Sequence, residues 1–208
     1  MRVDVPDGLV AKKLRADLAN CVIGREIIVL EQTGSTNDAI LQIANANSKG
    51  GLVLFAEYQT AGRGQRGNRW ESAPGKGLWF SILLRPKIDL ASSPQLTAWA
   101  AEAVSGAIQN EFSLTPMIKP PNDVQIDGRK IAGVLVEMRA QEKAAHLAIV
   151  GIGVNVNQSR EDFPKELQNR AISLAMVVGK QIDRQSFAIA LLRTLDRTYR
   201  KKFVNTGP

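Results

Sequence analysis

Gly62-Arg63-Gly64-Gln65-Arg66-Gly67-Asn68-Arg69-Trp70 follows directly on an extended apolar run at residues 52–58, and it packs three glycines and three arginines into nine positions. The glycines allow positive φ and close backbone approaches that a Cβ forbids. The arginines set planar guanidinium forks on one short loop, and such forks meet phosphate or carboxylate oxygens two at a time. Trp70 ends the stretch with a flat face suited to stacking. The loop reads as a wrap for an anionic ligand that bears a nucleotide.

Other readings compete. Gly62-x-Gly64-x-x-Gly67 fits the dinucleotide-binding fingerprint, which requires the loop to open a helix. Residues 68–77 carry Pro74, Gly75 and Gly77, too many breakers for a helix N-terminus. The phosphates would then have no helix dipole to meet. An arginine–glycine loop also suits contact with nucleic acid, and it suits a plain solvated turn.

Composition narrows the field. At 208 residues, 44% hydrophobic and 23% charged, the chain makes one domain, 1–208, with a real core. Net charge +7 raises nucleic acid as a partner, but the 27 basic residues are spread along the chain, which suits a small anion or an acidic protein equally well. One cysteine, Cys21, excludes an internal disulfide framework and fits a reducing compartment. The first eight residues lack an apolar core, and no apolar run reaches membrane-spanning length. The expectation is a cytoplasmic protein with no membrane association. With one histidine, His146, and that one cysteine, neither a Ser–His–Asp triad nor a Cys/His zinc site is easily assembled. Catalysis here must work by positioning and charge.

Working outward along the chain, apolar residues at helical spacing predict helices over about 8–19 and 93–112, and a last one opened by Asp183 with Phe187, Ala190, Leu191, Leu195, Tyr199 and Phe203 on its packed face. Trp99 lies on the apolar stripe of the second. A turn at Gln32-Thr33-Gly34 leads into Ser35-Thr36-Asn37-Asp38, which opens a helix through Ala46. One hydroxyl suffices for a cap, so the second is available to a neutral polar ligand group. Strands are predicted at 26–31, 52–58 and 78–85. The prolines of Lys119-Pro120-Pro121-Asn122-Asp123 force an extended path. Asp127-Gly128 makes a two-residue hairpin turn between strands 124–126 and 130–138. Gly133 marks a close approach, and a further strand at 147–156 carries Gly151 and Gly153 towards Asn155. A short helix at 172–178 closes at Gly179. The fold class is α+β, a mixed, largely antiparallel central sheet with helices on one side.

Four motifs now stand in order: Gly34-Ser35-Thr36-Asn37; Gln59 with the Gly62–Trp70 loop; Lys119-x-Pro121-Asn122-Asp123 with Gly128-Arg129-Lys130-Ile131-Ala132-Gly133; and Gly151-x-Gly153-Val154-Asn155. This set resembles the catalytic domain of the biotin–protein ligases over about residues 26–203. The resemblance implies a class II aminoacyl-tRNA synthetase-like fold. It also implies a two-step reaction: biotin and MgATP give biotinyl-5′-AMP, which acylates a lysine of a biotin carboxyl carrier protein. It places Ser35, Thr36, Asn37, Gln59, Gly62, Arg63, Gly64, Lys130 and Gly133 around biotin. Arg66, Trp70, Lys119, Asn122 and Asn155 fall on the nucleotide side, and the catalytic set is Arg63, Arg66, Lys119, Lys130 and Asp123. Asp123 is the expected steering group or base for the acceptor amine. Biotin and ATP with Mg²⁺ are substrates, with no tightly bound cofactor; a metal site within the protein itself stays unknown.

Departures from the family pattern are Gln65 and Asn68 in place of arginines and Pro120 in place of tryptophan. The family's C-terminal β-barrel cap and the helix-turn-helix of its repressor branch have no counterpart in this sequence, so DNA binding is not expected. A homodimer formed by extending the sheet stays open. Lipoate– or octanoate–protein ligases and transferases of the same superfamily are the nearest alternative, and a basic nucleic-acid-binding module is the alternative of another class.

Overall fold

Seven strands build one sheet in the order β1-β2-β3-β7-β6-β5-β4 in a computed structural model that describes residues 8–18, 20–44, 48–141 and 145–204. The strands are β1 (Glu26–Thr33), β2 (Leu52–Gln59), β3 (Gly77–Leu84), β4 (Met117–Lys119), β5 (Asp123–Ile126), β6 (Arg129–Arg139) and β7 (Leu147–Asn155). The helices are α1 (Ala11–Ala16), α2 (Thr36–Ile43), α3 (Ser93–Phe112), α4 (Leu174–Val178) and α5 (Arg184–Tyr199). The crossover β1–α2–β2 makes β1 and β2 parallel, and the other ladders are antiparallel. The mixed, largely antiparallel sheet is as expected.

Period-two alternation sorts the sheet's side chains into two cores. Val53, Phe55, Leu78, Phe80, Ile82, Val150, Ile152 and Val154 pack against the stripes of α3 and α5. Their neighbours Leu52, Leu54, Leu83, Leu147 and Ile149 meet Ala39 and Ile40 of α2 on the other face. The central strands are buried on both faces, which is why they read as near-continuous apolar runs. The expectation of helices on one side therefore holds for α1, α3 and α5 and is corrected for α2. Trp99 is core, 1% exposed, with its indole N–H donating to Thr198 Oγ1 at 2.9 Å.

Several boundaries move for local reasons. Gln32 and Thr33 stay in β1, because β2 runs far enough to pair them with Tyr58 and Gln59. Helix α2 ends at Ile43, with Ala44 extended; Ala46 and Ala19 lie outside the described residues. Pro120 and Pro121 form a turn rather than an extended path, so that Lys119 faces Asp123 across the β4–β5 ladder. The Asp127-Gly128 turn is as predicted, with φ of 50° and 73°. Helix α4 starts late, at Leu174, where the Ser173 hydroxyl accepts from Met176 N–H. Asp183 caps α5 through Ser186 N–H. An ion pair of 2.7 Å between Arg184, wholly buried, and Glu57 fastens α5 to β2. Burial, then Asp196, pushes the Cys21 thiol up, which fits an inert side chain rather than a nucleophile.

Candidate functional site

The arginine–glycine loop folds on itself as a small hairpin. Gly64 N–H donates to Asn68 O at 2.7 Å, Trp70 N–H donates to Gly62 O at 2.9 Å, and Arg66 and Gly67 turn the chain at φ of 58° and 77°. A positive φ is costly for arginine, and Gly67 beside it carries no such penalty. The hairpin lays the Trp70 indole across Gly133 and Gly153, which face each other on β6 and β7. A Cβ on Gly153 would stand 2.6 Å from the indole ring, so only glycine makes this floor. Trp79 braces Trp70 edge-on, with ring centroids 5.9 Å apart.

Trp70 and Lys130 stand between two cavities and line both. The inner cavity, about 40 Å³, is bounded by Ser35, Thr36, Asn37, Gln59, Arg63, Gly64, Asn122, Gly133 and Gly153 among others. The outer one, about 420 Å³, is bounded by Lys119, Asp123, Asn155, Phe163, Leu167, Asn169 and Arg170 among others. Lys130 Nζ lies 5.2 Å from the Trp70 ring centre and 2.6 Å from Asp123 Oδ1.

The inner cavity has a hydrogen-bonded wall. Thr36 donates twice to Gln59 Oε1, from its N–H at 2.8 Å and its hydroxyl at 3.1 Å. That fixes the amide of Gln59 with its nitrogen towards Ser72 Oγ, at 3.3 Å. The Ser81 hydroxyl lies 2.8 Å from Thr36 Oγ1 and 2.6 Å from Asn37 Oδ1, and Asn37 Nδ2 donates to Glu137 Oε2 at 2.6 Å. Ser35 holds the N-cap position of α2 without a side-chain cap bond. Ser35 itself lines the inner cavity. Ser81 was missed in the sequence, although a lone hydroxyl within the apolar run of β3 is a readable signal.

The expected residues are not all used as foreseen. Arg63 lines the inner cavity, but its guanidinium pairs with Asp38 and, at 3.1 Å, with Glu137. The hydrogen bond to Asp38 raises its already high pKa. Arg66 sits exposed at the hairpin tip and lines neither cavity. Gly62 is buried beneath Trp70 rather than lining a cavity. Asn122, expected on the nucleotide side, borders the inner cavity and donates to Val134 O at 3.0 Å. Asn155 does border the outer cavity, but its amide nitrogen donates to Lys130 O at 3.4 Å and Ile172 O at 3.0 Å, and its oxygen accepts from Gln158. It holds the backbone of Lys130 in place. Arg170, exposed in the polar loop after β7, was not foreseen; its carbonyl accepts from Lys130 N–H at 2.7 Å. Nothing in the sequence of that loop marks it.

The biotin/lipoate A/B protein ligase family model matches residues 29–155, the span that holds α2, the hairpin, the proline turn and both glycines of the floor. The chain belongs to this family. Among curated members, the "bifunctional ligase/repressor BirA" of Bacillus subtilis is 40% identical over 195 residues, covering 94% of this chain and 60% of that protein. The "biotin--[acetyl-CoA-carboxylase] ligase" of Mycobacterium tuberculosis is 33% identical, over 89% of this chain and 68% of its own length. Among solved structures, the biotin protein ligase from Aquifex aeolicus "in complex with biotin and ATP" superposes with a TM-score of 0.71 at 34% identity, over 86% of this chain and 73% of that one. The chain thus spans about 60% of the length of the Bacillus relatives. No helix among the described residues is long and apolar enough to cross a membrane. No group of three or more His, Cys, Asp or Glu side chains placed to hold a metal occurs among them either.

Proposed function

We propose that this chain is the catalytic domain of a biotin–protein ligase, joining biotin and MgATP into biotinyl-5′-AMP and passing the biotinyl group to a lysine of a biotin carboxyl carrier protein. The observation that carries this is the shared boundary: Lys130 and Trp70 line both an inner cavity with a polar wall and a wider outer one. In this reading the ureido ring of biotin meets Ser35, Thr36 and Gln59, its carboxylate reaches Lys130, and the nucleotide lies in the outer cavity beside Lys119 and Arg170. Mg²⁺ travels as part of the nucleotide substrate.

A carboxylate is already ionised at neutral pH and needs no base. Its oxygen attacks the α-phosphorus of ATP and pyrophosphate leaves. The obstacle is repulsion between like charges, about 4 kcal/mol at ~4 Å and an effective ε of ~20. One ammonium at the junction and cations along the outer wall offset a barrier of that size, since charge-assisted hydrogen bonds contribute roughly 1.5–3 kcal/mol each. In the second step the acceptor amine attacks the acyl carbon and AMP leaves. That amine must first lose a proton, and Asp123, bordering the outer cavity, is the group proposed to steer it.

The test is incubation with biotin, MgATP and a carrier domain, with detection of the biotinylated lysine by mass spectrometry and of pyrophosphate release. Calorimetry with biotin against lipoate separates the two branches of the family. Lipoate binding in preference to biotin would overturn the assignment.

A further inference from the structure

We propose that Arg63 is a latch, a positioning residue that fastens the Gly62–Trp70 hairpin to α2 and β6 through Asp38 and Glu137, rather than a counter-charge for the reacting groups. The proposal rests on the reading of the inner cavity as the biotin site.

The charges are unequal. One guanidinium faces two carboxylates, so the cluster as a whole is negative and has no positive charge left for a substrate anion. Lys130 faces only Asp123, and Lys119 has no ion-pair partner among the described residues. The cations able to meet phosphate are therefore Lys130, at the junction of the two cavities, and Lys119, on the outer side.

The geometry is that of a fastening. Arg63 Nη1 donates to Asp38, and its Nη2 spans both Glu137 oxygens at 3.2 and 3.1 Å. Glu137 in turn accepts from Asn37, part of the inner wall. One end of the hairpin is thus tied to the first turn of α2 and to the C-terminal part of β6, while the other end lays Trp70 on the glycine floor. The inner cavity beneath holds about 40 Å³, far below the ~300 Å³ or more of a ligand site. A bicyclic ligand enters only if the hairpin lifts, and the ion pairs are what resists lifting. All three side chains are more than a third exposed, which suits a contact that breaks and re-forms rather than a permanent staple.

The experiment compares wild type, the Asp38→Asn/Glu137→Gln double variant, Arg63→Gln, and the triple variant. Trypsin cleavage after Arg66, followed by mass spectrometry, reads hairpin opening without any ligand. Release of the latch is expected to speed that cut about five- to tenfold in the double variant and in Arg63→Gln alike, with no further gain in the triple variant. Chase of labelled biotin is expected to show faster entry and faster exit in the same variants. Pyrophosphate formation at saturating biotin is expected to stay within about twofold in the Asp38→Asn/Glu137→Gln double variant, whose two carboxylates lie outside both cavities, because the latch acts on binding and not on the chemical step. Cleavage in the double variant at the wild-type rate overturns the latch. So does an Arg63→Gln variant that loses the chemical step at saturating biotin while the double variant keeps it. If wild type binds no biotin, the reading of the cavity fails, and the ligand-free cleavage arm still decides the latch.

Discussion

Lys130 Nζ lies 2.6 Å from Asp123 Oδ1, and the pair stands where the inner and outer cavities meet. The lysine comes from β6 and the aspartate from β5, two strands joined by the tight Asp127-Gly128 turn. The ammonium is held from below by Asp123 and faces the Trp70 ring above. Removing it and removing its holder have different consequences. Lys130→Ala is expected to lower adenylate formation at least about tenfold, some 1.4 kcal/mol of transition-state stabilisation. Asp123→Asn keeps the ammonium and is expected to cost the first step less, while slowing transfer from preformed adenylate to a carrier lysine. Pyrophosphate release reads the first step and single-turnover acylation the second. Wild-type transfer in Asp123→Asn would remove that residue from the second step.

Ser81 supports the wall of the inner cavity from a position wholly inside the protein. Its hydroxyl joins Thr36 to Asn37, and Thr36 in turn fixes the amide of Gln59. Ser81→Ala leaves the buried Asn37 oxygen without that donor, a cost of about 1–3 kcal/mol. The expected result is biotin affinity weaker by about tenfold with an unchanged KM for ATP, accompanied by a fall in Tm of roughly 2–4 °C per kcal/mol. Calorimetry and thermal melts check both. A loss of ATP affinity of equal size would show that the network serves the whole fold rather than the inner cavity.

Much of this fold was legible because local chemistry dictated it. The stripe of α3, the Asp183 cap and the Asp-Gly turn all follow from spacing and from single-residue preferences. The face covered by α2 did not, because Ala39 and Ile40 show that the helix has an apolar side without showing which side of the sheet it meets. At the site, residue type foretold location better than use. Asn155 borders the outer cavity, yet its amide is committed to the backbone of residues 130 and 172; Arg63 borders the inner one, yet two carboxylates distant in sequence, Asp38 and Glu137, claim its charge. Such partners are set by tertiary contacts that no motif spacing encodes. Arg170 lies in a polar loop whose path depends on its backbone pairing with Lys130.

Tyr199 gives the fold a pH limit on the alkaline side. It is 4% exposed among Trp99 and Phe203, and burial pushes its phenol up to about 12. The unfolded chain ionises near the ordinary value of about 10, so between the two the unfolded state loses a proton that the folded state keeps. Stability is therefore whole below pH ~10 and falls as pH rises towards ~12, by roughly 2–3 kcal/mol for a two-unit difference. Denaturant midpoints measured at pH 9 and pH 11.5 should diverge in wild type and diverge less in Tyr199→Phe. Equal divergence in the two proteins would place the alkaline limit elsewhere.

Gly153 offers the sharpest test of how the two cavities are joined. A methyl group at this position meets the rigid Trp70 ring at 2.6 Å, and the indole has no free end to swing aside. In an ordinary strand Gly→Ala is neutral or stabilising, because alanine loses less entropy on folding. Here Gly153→Ala is expected to lower Tm through overpacking, to shift the tryptophan emission as Trp70 is forced off the floor, and to lower adenylate formation at least about tenfold through misplacement of the junction. The clash vanishes once the indole is gone, so Gly153→Ala placed on top of Trp70→Ala should add almost nothing. Additive losses in the double variant would mean that Gly153 matters to the ligand directly, and that the indole is not the group its missing side chain makes room for.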